Sequence, residues 1–374
     1  MPSNPVRALL LVAVLAGPAA AQPNRPPPPP ASGQPNVPPA LDPLRPYLGP
    51  PDQPFRPFAP LGPPPDPLDD GIGTRYGLLL LAGRFGVPGY GIMWIPSQPV
   101  AGQPTDLGLV RQELSLFAPI HREGCDTAAV GLGVRNTIFD TGAILPDSRR
   151  SFPSTLWDIE AGVAYSHQWD NGWTTGAVVS AGSASDKPFR RGNVLVASVD
   201  LYTAIPDVGD NAWIIGVSYQ PTSDFPYPMP IASYYWKPNA DLEVNLGVPL
   251  FMRWRFAPEW STEVFYLPVR TVAARVIWDP CQYPEYHVYA AFNWANESYF
   301  LADRTNDGDR FYGFEKRLSG GVQFDLPWRL RLDLSAGYVF DRFYFQGRRY
   351  ADRDRDRVDV GAGWFIAAQL RLQF

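Results

Sequence analysis

The chain is poor in the residues on which small stapled or metal-bound folds depend: it has 2 Cys and 3 His in 374 residues. That excludes a disulfide scaffold and a Cys/His zinc module. It has no excess of positive charge, with 32 Lys and Arg against 37 Asp and Glu, so the basic footprint of a nucleic-acid binder is missing. It has no apolar run of the roughly 20 residues that a spanning helix needs, which excludes an α-helical membrane protein. Helical periodicity is almost absent beyond Gly71, which argues against a helix bundle.

Catalytic and metal patterns are equally scarce. His121, His167 and His287 lie apart in a turn and two strands, with no Ser or Cys motif around them. Ser166 beside His167 is no dyad, because adjacent strand residues face opposite sides. The acidic run DRTNDGDR (303–310) misses the EF-hand spacing and, with ADRDRDR (351–357), reads as an ion-paired loop surface. No enzyme, cofactor or metal site is expected.

What is present begins with the N-terminus. MPSNPVRALLLVAVLAGPAAAQ combines Arg7, an apolar run over 8–16 and Ala19-Ala20-Ala21, the layout of a cleavable secretory signal over residues 1–21. No Cys follows to accept a lipid. Residues 22–70 are too rich in Pro to pair as strands or continue a helix, and extended polyproline II reaching about 150 Å is expected there. This disordered periplasmic segment is either a spacer or a docking arm for a periplasmic or cell-wall partner, with Arg25, Arg45, Arg56, Phe55 and Phe58 as contacts.

Residues 71–374 alternate apolar and polar over segments of about ten or more residues, bounded by Asn, Asp, Gly or Pro, as suits tilted membrane-crossing strands. The pattern predicts an all-β, transmembrane, antiparallel up-and-down barrel of about fourteen strands, with a range of twelve to sixteen. Leu242, Val244, Leu246, Val248, Leu250, Met252, Trp254 and Phe256 keep one parity, which a two-residue hairpin would flip. Residues 241–257 are therefore expected to be one strand, as are 260–278. Three-residue loops preserve parity: 170–172 sets Trp169 opposite Trp173, and 326–328 sets Asp325 opposite Arg329. Placing both termini in the periplasm puts the long segments 139–154, 221–229, 298–310 and 346–356 outside. It also puts the short 257–259 turn outside, which is atypical.

Trp169, Trp173, Trp260, Trp278 and Phe324 fall beside turns on the apolar face, where a barrel carries interfacial girdles. The opposite parity collects Arg111, Glu113, Asp158, Glu160, Glu243, Arg253, Arg255, Glu263, Arg275, His287, Glu297, Glu315, Arg317, Asp325, Arg331, Asp333, Asp359 and Arg371. Charges are costly against lipid, so these are expected in the lumen, either lining a weakly selective aqueous pore or closing it as a self-neutralising network. Cys125 and Cys281 fall in turns nearly across the barrel, too far apart for a disulfide, and are expected as free thiols.

The ending GWFIAAQLRLQF (363–374) resembles the C-terminal signal of Gram-negative outer-membrane β-barrels. That resemblance implies that Phe374, Leu372, Leu370 and Ile366 are read by the barrel assembly machinery. GVRNTIFDTGAILPD (133–147), DNGWTTGAVVSAGSASDKPF (170–189) and GYVFDRFYFQGRRYADR (337–353) resemble an uncharacterised outer-membrane barrel family known only as a domain of unknown function. The resemblance implies a fold, an outer-membrane location and contact with outer-membrane lipid, and no activity. The expected function is a passive channel or transporter for small solutes; a structural or adhesive surface barrel and a soluble secreted β-protein are the alternatives.

Overall fold

The computed structural model describes Tyr76, Leu80, Phe85 and residues 87–372 apart from 224, 225, 269 and 284. The signal, the Pro-rich segment and Phe374 lie outside these residues.

Alternating apolar and polar residues produce seventeen strand segments in one antiparallel sheet. They are β1 (Gly89–Pro99), β2 (Asp106–Glu123), β3 (Asp126–Thr141), β4 (Thr155–Gln168), β5 (Thr174–Ser185), β6 (Leu195–Pro206), β7 (Ala212–Tyr219), β8 (Met229–Asn239) and β9 (Leu242–Gly247). Then follow β10 (Leu250–Ala257), β11 (Trp260–Leu267), β12 (Thr271–Trp278), β13 (Tyr286–Tyr299), β14 (Arg310–Leu326), β15 (Leu330–Gly347), β16 (Val358–Val360) and β17 (Gly363–Leu372). β16 and β17 pair with β15 in one continuous register, Arg342 opposite Val360 and Val339 opposite Gly363, and so form a single stave. β17 also pairs with β1, which closes the sheet into a barrel of sixteen staves. Closure removes the exposed edges that an open sheet would leave.

Sixteen is the top of the expected range, and the two extra staves come from the segments expected to be single. β9 and β10 form a hairpin with Met252 opposite Val244 and Trp254 opposite Leu242. β11 and β12 form another, with Trp260 opposite Trp278. In each case the turn leaves parity unchanged, as a three-residue connection does, so alternation could not reveal it. The split also moves the 258–259 connection to the end of the short turns, while the new connections at 248–249 and 268–270 are short ones at the other end. The connections at 124–125, 169–173, 240–241, 258–259 and 327–329 now share one end of the barrel, and those at 142–154, 186–194, 300–309 and 348–357 share the other. We call these the turn end and the loop end. At 327–329 the register is also corrected: Asp325 lies opposite Arg331, because Leu326 pairs with Leu330 across a turn in which Trp328 and Arg329 have φ of 66° and 58°.

The staves are unequal. β2, β14 and β15 have 18, 17 and 18 residues, whereas β7, β10, β11 and β12 have 8 each. The tall staves bend together above the short ones. The Phe300 N–H donates to the Ala184 carbonyl (2.8 Å), and the Ala302 N–H donates to Asp186 (2.7 Å). The ends of β5 and β13, eight places apart in the sheet, thus meet directly. A narrow cylinder of nine staves results: β1–β5, β13–β15 and the β16/β17 stave. Its apolar core includes Met93, Ile95, Leu107, Phe139, Leu156, Ala184, Phe311, Val339, Tyr344, Val360 and Phe365, and takes no residue from β6 to β12. A barrel of about eight staves is just wide enough for side chains to fill. Phe152, carried in from the 142–154 loop, meets Phe139, Phe311 and Tyr344 edge-on at 5.1 to 5.3 Å.

Candidate functional site: the barrel interior

Below the apolar core the inward parity carries charge. Arg111 on β2 reaches across to Glu315 on β14 (3.1 Å) and Glu297 on β13 (3.5 Å). Arg135 on β3 also binds Glu297 (3.2 Å) and approaches Asp158 on β4 (3.7 Å). Arg317 lies 3.5 Å from Glu315. The Tyr299 hydroxyl donates to Glu297 (3.0 Å). Glu297 is the hub, receiving two guanidinium groups and one phenol from three staves. Glu113 lies opposite Arg135, and Glu160 opposite Gly133.

Nearer the turn end a second set runs around the wall. Arg253 lies between Glu243 (3.3 Å) and Glu263 (3.6 Å), and Arg275 binds Glu263 (2.6 Å). The Arg275 guanidinium stands 5.6 Å from the centre of the Tyr289 ring, whose hydroxyl donates to Asp333 (2.8 Å). Arg371 lies 3.7 Å from Asp333. Arg331 binds Asp325 through Nε and Nη2, and its Nη2 also lies 3.2 Å from His287 Nε2. His287 Nδ1 is 2.7 Å from Asp279.

Burial decides how these charges are to be read. Arg111, Glu113, Arg275, Glu315, Arg317, Arg331, Asp333 and Arg371 are each at most 5% exposed. Charges lining an open aqueous pore would be solvated, whereas Arg111, Arg275, Glu315, Arg317, Arg331, Asp333 and Arg371 each form an ion pair with an opposite charge, the pairing that buried charges require. Arg255, beside Ser261, is half-buried.

Asp359 is a correction. Val358 and Val360 enter the interior core, so Asp359 between them faces out, where it binds Arg357 at 2.7 Å. Inward parity changes together on the paired β15 and β16/β17 staves, at Asp341 (φ 48°) and at Gly361–Ala362, a local twist that alternation does not foretell. The same change turns Arg342 inward to donate to the Leu107 carbonyl (2.9 Å). Arg135 was also missed by the sequence reading, although its parity with Gly133 and Thr137 could have placed it.

Outside, Trp169, Trp173, Trp260 and Trp278 are exposed on the apolar face near the turn end. Trp260 stacks with Trp278 at 6.3 Å, and Phe324 meets Tyr286 edge-on at 5.4 Å. Ile366, Leu370 and Leu372 are likewise exposed on β17. Cys125 and Cys281 are exposed free thiols in turn-end connections.

No protein-family model matches the chain, and no curated protein matches its sequence. Among solved structures it is similar to the β domain of the Bordetella autotransporter BrkA, at 10% identity over 77% of this chain and 99% of that one, with a TM-score of 0.29. Pseudomonas aeruginosa OccK7 (OpdD) matches at 9% identity over 76% and 98%, with a TM-score of 0.34. The Pseudomonas putida toluene transporter TodX matches at 11% over 81% and 94%, with a TM-score of 0.33. At these scores the fold rests on the strand pairing itself.

Proposed function

We propose that this chain is an outer-membrane β-barrel that stays closed to solutes and serves as a membrane-anchored scaffold, presenting its interlocked long loops at the cell surface. One observation carries the reading: Arg111, Arg275, Glu315, Arg317, Arg331, Asp333 and Arg371 are buried and ion-paired beneath an apolar core where opposite staves touch. The exposed apolar wall with its Trp residues supports lipid as the surrounding medium. The longest connections, 142–154, 186–194, 300–309 and 348–357, share one end and support that end as the outer one, and the Pro-rich segment is a periplasmic spacer or an arm for a periplasmic or cell-wall partner. Export through the N-terminal signal and reading of the terminal Phe374 by the barrel assembly machinery belong to the same proposal.

Planar-bilayer recording on purified, refolded protein tests closure. The expected result is a membrane-inserted, heat-modifiable barrel without conductance steps; a stable open level would overturn the scaffold reading. A transporter for small solutes is the second reading, favoured by the arc of charges from Glu243 to Arg275 on four neighbouring staves, and it requires the upper core to open.

A further inference from the structure

Beneath the narrow cylinder, the interior walls of β3, β4 and β5 are lined by small residues, Ala129, Gly131, Gly162, Ala164 and Gly176 among them. Glycine weakens a strand interior unless close approach requires it. Gly131 has no left-handed backbone angle to explain it. A Cβ there would lie 2.4 Å from Cδ2 of Phe85, and its three nearest atoms all belong to the Phe85 ring. Gly162, opposite Gly131 in the register, would bring a Cβ within 2.8 Å of the tip of the same ring, and within 2.7 Å of the Val179 carbonyl on β5, so the close approach of β5 also requires this glycine. Phe85 is fully buried there among Ala129, Ala164 and Val178.

A second seat lies toward β6–β8. Gly176 leaves room for the Tyr202 ring, 2.3 Å from where a Cβ would stand. Tyr202 then meets Tyr76 edge-on at 5.2 Å, within a cluster completed by Ala204, Ile214 and Tyr235. Leu80 packs against both clusters.

We propose that this glycine-lined wall is a built docking surface for the chain's own Tyr76, Leu80 and Phe85, which fasten the N-terminal part of the protein inside the barrel. The Gly131 seat is shaped for an aromatic ring that the wall itself does not supply, and Phe85 fills it. The Gly176 seat is filled by the wall's own Tyr202, which in turn offers its edge to Tyr76. The barrel thereby acts as an anchor for whatever precedes Tyr76. This inference rests on the barrel fold alone, so a conducting protein would overturn the scaffold reading without touching it.

The test is thiol accessibility in the full-length, membrane-inserted protein, with Cys125→Ser and Cys281→Ser as background and Leu80→Cys as the reporter. A small charged thiol reagent is expected to label position 80 far more slowly than a Val208→Cys reference, Val208 being 81% exposed. Phe85→Ala and Gly131→Val should each speed labelling about tenfold or more, since each removes the burial of a Phe side chain, while heat-modifiable migration is kept. Phe85→Ala leaves the wall untouched and decides the matter even where Gly131→Val impairs folding. Labelling of Leu80→Cys as fast as the Val208→Cys reference would overturn the proposal, as would a rate unmoved by Phe85→Ala.

Discussion

Phe300, just past β13, donates its backbone N–H to the Ala184 carbonyl at the end of β5 (2.8 Å), although the two staves stand on opposite sides of a sixteen-stave sheet. Around that contact the Asp303 carboxylate gathers Lys187, Arg190 (3.8 Å) and Arg191 (4.0 Å). Its pKa is lowered from 3.8, through the Lys187 hydrogen bond first and then the charges of all three cations. A depressed carboxyl pKa adds stability that is complete above the unfolded value and lost as pH falls through the folded one. The contact between the 186–194 and 300–309 loops should therefore loosen in acid, below the ordinary carboxylate range. Hydrogen exchange of the two loops across pH 2 to 6 would show it, and Asp303→Asn should weaken the dependence.

Glu297 holds Arg111 and Arg135 together. Replacing it by Gln leaves two buried guanidinium groups short of their shared counter-charge, and breaking a buried pair in this way costs roughly 3–5 kcal/mol. Urea unfolding in detergent should show a large drop in midpoint. A change within error would mean that Glu297 is not the hub of the interior.

The loop end is clasped by a reciprocal pair. The Asp356 carboxylate accepts the N–H groups of Asp147 (2.9 Å) and Ser148 (2.7 Å), and the Asp356 N–H donates to Asp147 (2.7 Å). Asp356 also has φ 49°, a conformation that Asn and Asp tolerate better than other side chains. Asp356→Ala should cost about 1–3 kcal/mol locally and expose the 142–154 and 348–357 loops to limited proteolysis. Asp356→Asn keeps an acceptor and should remain resistant.

The β9–β10 hairpin makes a topological prediction. A short epitope inserted after Val248 should be tolerated and become accessible on the same side of the membrane as one inserted in the 142–154 loop. Were 241–257 one strand, that insertion would fall in mid-wall and prevent barrel assembly, which heat-modifiable migration would report.

Deleting Phe374 should lower outer-membrane insertion, measured by fractionation of cells expressing the full chain. Unchanged insertion would remove the terminal residue from the assembly signal.

Much of the architecture was legible in the sequence because side-chain direction in a strand has period two and is fixed locally. Leu370 and Leu372 against Arg371, or Trp169 against Trp173, announce an apolar exterior and a charged interior before any partner strand is known. Alternation is silent about what preserves it. The Leu246–Leu250 region keeps its parity whether it turns or runs straight, so the stave count stayed open by two. Asp359 and Arg342 were hidden for the converse reason: a local twist shared by two paired strands reverses parity without any mark in composition.

By itself the sequence determined the all-β class, the two faces of the wall and the aromatic residues beside the turns, since these follow from local sterics and the cost of charge against lipid. Only the tertiary structure decided which inward residues meet one another. That depends on unequal staves bringing Ala184 to Phe300, on Glu297 reaching Arg111 and Arg135, and on Phe85 meeting Gly131. Each is a contact between residues far apart in the chain, set by closure of the whole sheet rather than by the pattern of any one strand.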